Sequence, residues 1–107
     1  MSKIPGKFKV GGTSIVIANP EYIDDGVLGM CHLNEGFIEI ANTFRMNQPQ
    51  SSDSKVNTFY HELVHAILDT MGELDLSRDE KFVNCFAGFL TEALTTAGVE
   101  YNEENCR

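Results

Sequence analysis

Thr58-Phe59-Tyr60-His61-Glu62-Leu63-Val64-His65-Ala66-Ile67-Leu68-Asp69-Thr70-Met71-Gly72 is the stretch on which the reading of this chain turns. Its apolar residues recur at helical rather than alternating spacing, so it predicts a helix. The helix starts at about Asp53 or Ser54, and Gly72 supplies the stop after Met71. At about 100° per residue, with His61 at 0°, His65 falls near 40°, Thr58 near 60°, Asp69 near 80° and Glu62 near 100°. Phe59, Tyr60, Leu63, Val64, Ala66, Ile67, Leu68 and Met71 fill most of the remaining circumference. A helix apolar over most of its surface is a buried one. The two imidazoles therefore share one narrow polar stripe on a core helix.

Downstream, Ser77-Arg78-Asp79-Glu80 has the pattern of a capping box, opening a second helix over about 78–97 that stops at Gly98. On its wheel Glu80, Asn84, Thr91 and Thr95 form a polar stripe, while Phe82, Val83, Phe86, Phe89, Leu90 and Leu94 predict core. Cys85 reads as packing between apolar neighbours. The tail, 99–107, is acidic. Upstream the chain reads as strands: Lys7 to Val10 and Thr13 to Ala18 flank a Gly11-Gly12 turn. Val27 to Leu33 and Phe37 to Ala41 predict a second hairpin, with Ile38 and Ile40 facing the core. Met46 to Ser54 is polar and predicts an exposed loop. Strands followed by helices predict one α+β domain over 1–107, a small antiparallel sheet packed on two core helices.

The remaining composition narrows the function. The chain has 107 residues, with 8 Lys and Arg against 16 Asp and Glu, a formal charge of −8. Such a chain repels phosphate backbones and anionic lipid surfaces, so neither nucleic acid nor membrane is expected as a partner. No apolar run approaches the roughly 18 residues needed to cross a bilayer. The N-terminus lacks the apolar core of a secretory signal, and Cys31, Cys85 and Cys106 are too few and scattered for a disulfide framework. Both features predict a cytoplasmic protein.

His61 and His65, four residues apart on one helix face, can bind a single metal ion. Glu62, turned aside by about 100°, reaches a water on the metal rather than the metal itself. Two neutral imidazoles with a carboxylate general base are the donor set of a zinc hydrolase. The plainer alternative is two surface histidines beside a solvated glutamate, which fits poorly with so apolar a helix.

Thr58 to Ile67 resembles the zincin superfamily of metallopeptidases. Thr58 stands three residues before the first histidine, the uncharged Phe59, Leu63 and Val64 surround the motif, and Ala66 and Ile67 follow it. The small size and following helix look most like compact zincin-like proteins of phages and prophages, which implies a bacterial or phage-infected host cell. The resemblance spans roughly Val27 to Ala97 and is strong only over the helix pair. It implies a zinc-dependent peptide hydrolase with one Zn2+ per chain. Metzincins continue the motif with Gly and then His or Asp, where this chain has Leu68 and Met71, so that branch does not fit. Gluzincins take a third ligand from a following helix, which implies Glu80, with Asn84 four places on where the family more often has Asp to orient a ligand histidine. Glu73, Asp75, Asp69 and Glu92 stay open as alternatives for that ligand, because the Glu80 side chain also suits the capping box.

Position suggests further roles, and for the edge strand the resemblance does. Asp69, one turn after His65, is a candidate to hydrogen-bond that ring. His32 and Tyr101 are candidate oxyanion stabilisers, each with an ordinary structural alternative. Phe37, Ile38, Glu39, Ile40 and Ala41 form the candidate edge strand that would hold a peptide or protein substrate by strand addition. Two further readings stand beside the hydrolase. One is a catalytically silent zinc-stabilised binding or regulatory module. The other is a protease domain that acts only when a protein partner recruits it.

Overall fold

In a computed structural model, residues 4–98 are described. The chain runs β1 (Lys7–Val10), β2 (Thr13–Ala18), β3 (Gly29–His32), β4 (Phe37–Ile40), β5 (Thr43–Arg45), β6 (Gln48–Pro49), α1 (Ser52–Met71), α2 (Leu74–Arg78) and α3 (Glu80–Thr96). The architecture is α+β: a four-stranded sheet and a small hairpin packed with two main helices. Among the described residues no helix is long and apolar enough to cross a membrane.

The sheet is mixed rather than antiparallel, which corrects the sequence expectation. Its order is β1-β2-β4-β3, with β2 and β4 parallel through Val16↔Phe37, Ile17↔Ile38 and Ala18↔Glu39. Two local hairpins form as expected: β1–β2 turns on Gly11 and Gly12, both at positive φ, and β3–β4 turns through a 3-10 segment at Leu33–Glu35. The segment between β2 and β3 carries the chain across the sheet, so β4 inserts beside β2 and leaves β3 at the edge. Phe37–Ala41 is therefore interior and cannot be the expected edge strand; the edges of this sheet are β1 and β3 (Gly29–His32).

Helix α1 lies between two apolar layers. Phe59 and Ala66 join Ile15, Ile38 and Ile40 from the sheet, and on another side Val64 and Leu68 meet Val83 and Ala87 of α3. Its ends follow the local chemistry. The Ser51 hydroxyl accepts from Ser54 N–H at 3.1 Å, and Gly72 closes the last turn at φ 80°. The helix α1 is thus buried on two faces, though Ile67 and Met71 of its expected apolar side are exposed, and α3 is covered still less. Only Val83 and Ala87 of α3 are buried, and Cys85, Phe86, Phe89 and Leu94 are exposed. Helix α3 packs on α1 and α2, so a single stripe of it is covered.

The polar loop departs further from expectation. Part of it forms the β5–β6 hairpin, and Gln50 is buried. Its Nε2 donates to the carbonyls of Ala41 at 2.6 Å and Leu28 at 3.2 Å. Its Oε1 accepts from the hydroxyls of Ser54 and Thr58, each at 2.8 Å. One amide thereby ties the approach to β3 to the start of α1.

Candidate metal centre

The expected helical stripe puts His61 and His65 side by side, their ring centroids 4.9 Å apart. Glu80, the first residue of α3, faces them from the neighbouring helix, with Oε1 3.9 Å from His61 Nε2. One donor atom from each of His61, His65 and Glu80 lies within 4.8 Å of the others. Two imidazole nitrogens and a carboxylate oxygen at this spacing fit a zinc ion, which takes three protein ligands and keeps a fourth position open in catalytic sites. Of the third-ligand alternatives, Glu73, Asp75, Asp69 and Glu92 do not belong to this cluster.

Glu80 is free for that role because the capping expectation does not hold. The helix is capped by Asp79, whose carboxylate accepts from Phe82 N–H at 3.1 Å. Ser77 instead belongs to α2, is buried, and places its Oγ 3.0 Å from His65 Nδ1. A hydroxyl on Nδ1 fixes the ring and leaves Nε2 for a metal. Ser77, passed over in sequence as a cap, thus takes the place assigned to Asp69 and Asn84. Asn84 shares a hollow with His61 and Glu62, whereas Asp69 lines a different one with Cys31 and His32. Neither hydrogen-bonds a ligand ring among the described residues.

Glu62 is buried, only 8% exposed, beside this cluster. Burial, reinforced by the Glu80 charge, pushes its carboxyl up to about 7, while the Cys31 backbone N–H and His32 pull the other way. A carboxylate poised near neutrality suits general-base work. Burial also lowers the His61 pKa, with His65 adding to the effect and Glu80 opposing it. That favours the neutral ring a metal requires. The Cys31 thiol is pushed up to about 11 by burial and by the charges of Glu62 and Asp69, so it stays protonated.

His32 does not line the hollow, though it lies near enough to Glu62 to act on its carboxyl. Its Nε2 lies 2.8 Å from Glu39 Oε1, and its ring stacks on Phe37 at 4.3 Å. Those cross-strand contacts match the structural alternative for this residue. Tyr101 and the rest of the tail lie outside the described residues.

The hollow holds about 290 Å³ and is lined by Gly26 to Gly29 on one side and Asn57, Thr58, His61, Glu62 and Asn84 on the other. Gly29 permits the close approach of β3 to α1. A Cβ there would collide with the Thr58 methyl and come within 2.9 Å of the Glu39 carbonyl. Sequence reasoning saw the histidine helix but missed Ser77, Gln50 and Gly29. The one available signal was the glycine within a strand, a mark of close backbone approach. Comparison with protein-family models, curated proteins and solved structures finds no match for this chain.

Proposed function

We propose that this protein is a zinc-dependent peptide hydrolase. The observation that carries the reading is the convergence of His61, His65 and Glu80 from two helices, with buried Glu62 beside them. Bound zinc would supply a Lewis acid that polarises a carbonyl and acidifies a water. Glu62 takes the proton of the attacking water and returns it to the leaving nitrogen. His65 is held in one orientation by Ser77, and burial lowers the His61 pKa, favouring its neutral ring. Because β4 is interior, substrate pairing passes to β3 and the Val27–Gly29 backbone beside the hollow, where main-chain hydrogen bonds need only an open edge.

A catalytically silent zinc module is the second reading. It draws support from the lining, which among the described residues contains no Arg, Lys or Tyr to stabilise an oxyanion. Zinc content and cleavage of a broad peptide library, measured together, separate the two. The hydrolase reading expects one zinc per chain and cleavage, with Glu62→Gln keeping the zinc and losing the cleavage. Loss of zinc in that variant would mean that Glu62 has been given the wrong role. A zinc-loaded wild type that cuts no peptide would favour the silent module.

A further inference from the structure

We infer that the outer face of α3 is a self-association surface, on which two copies of this chain pair their α3 helices antiparallel about a twofold axis. Phe82, Phe86, Phe89 and Ala93 follow one another at intervals of four, three and four residues. This is the a/d spacing that forms a seam between helices. Val83 and Ala87, on the adjacent stripe, already face α1, with Phe82 packed against them at the margin of the seam, so Phe86, Phe89 and Ala93 carry its outward face. Phe86 is 50% exposed and Phe89 is 72% exposed. The Phe82 and Phe86 rings stack at 5.7 Å into one apolar ridge.

Charge selects a second copy as the occupant. Lys81 and Glu92 are exposed on the flank of the seam away from α1, and neither has an ion-pair partner among the described residues. They are eleven residues apart, about three turns, so they share that flank. A twofold antiparallel pair brings the same flank of each helix together with the order reversed. With Phe86 of one copy opposite Phe89 of the other, Lys81 lies within about 3 Å along the axis of Glu92 in the second copy. Symmetry makes that contact twice. In a parallel twofold pair this flank of each copy would lie on opposite sides of the seam, so Lys81 and Glu92 would not meet.

The seam is short, covering about three turns, so the pair is concentration-dependent rather than obligate, with dissociation in the micromolar range. Sedimentation velocity over roughly 1–200 μM at about 0.15 M salt, where the −8 charge is screened beyond about 8 Å, reads it directly. A monomer–dimer equilibrium is expected, and Phe89→Asp should abolish it without lowering the melting temperature. Lys81→Glu and Glu92→Lys should each weaken it about tenfold, and the double exchange should restore it. A second readout uses Cys85, which is exposed beside the seam and sits about 7–8 Å along the axis from its counterpart in this register. In a Cys106→Ser background, a short bis-maleimide should link the two copies through Cys85, and Cys85→Ser should remove the product. A chain that stays monomeric throughout, association indifferent to Phe89→Asp, or a double exchange that fails to restore pairing would overturn the proposal.

Discussion

Replacing Glu62 by Gln should make the metal-free protein more stable at neutral pH, by an amount that changes with pH in a defined direction. The Glu62 carboxyl rises from 4.5 to about 7 in the folded chain, chiefly through burial. A group whose folded pKa is raised binds its proton more tightly in the native state, so stability falls as pH climbs between the two values. The shift of about 2.5 units corresponds to about 3 kcal/mol at pH 8, and to almost nothing below pH 4. Glutamine keeps the shape and carries no charge. In thermal melts of chelated protein, the difference between variant and wild type should therefore grow from pH 4.5 to pH 7 and then level off. Other titrating groups, including His61, cancel in that difference. Its plateau corresponds to on the order of 10–20 °C for a domain of this size. Adding zinc should flatten the difference, because a cation beside the carboxylate favours its charged form. A difference that does not vary between pH 4.5 and 8, or that shrinks with rising pH, would refute the burial argument.

Three further substitutions test the supports of the site. Ser77→Ala removes the hydroxyl 3.0 Å from His65 Nδ1 and should weaken zinc binding about tenfold in a chelator competition, with little change in the melting temperature of the metal-free protein. Gln50→Ala strips the partners from the Leu28 and Ala41 carbonyls and from the Ser54 and Thr58 hydroxyls, and should cost about 2–3 kcal/mol in denaturant unfolding. Gly29→Ala puts a methyl against Thr58 and the Glu39 carbonyl, and should cost about 1–3 kcal/mol by the same assay. Pairing it with Thr58→Ser, which deletes the obstructing methyl, should recover part of that loss.

What could be read from the sequence was local. The end of α1 depends on Gly72 and an apolar period within one segment, its start at Ser52 falls just before the expected Asp53 or Ser54, and the histidine face follows from a spacing of four residues. Sheet order is different in kind. The Phe37–Ala41 alternation shows which residues face inward, but an edge strand and an interior strand share it, and only the crossover after β2 makes β4 interior. Helix α3 illustrates the same limit, because periodicity locates the apolar faces without saying what covers them. Val83 found α1, whereas Phe89 found no cover within the described residues. Gln50 was hidden by the polar composition around it, since a single amide with four partners leaves no periodic trace. Ser77 was ambiguous for a chemical reason: the same hydroxyl can cap a helix or hold an imidazole, and the Asp79 cap left it to His65.

The central claim is a metal gripped by His61, His65 and Glu80, and elemental analysis of purified protein tests it most directly. The wild type should carry one zinc per chain. His61→Ala and His65→Ala should carry none after dialysis, Glu80→Ala should lose it to a mild chelator, and Asp69→Ala should match the wild type. Zinc retained by His61→Ala, or absent from the folded wild type after zinc is supplied, would contradict the account.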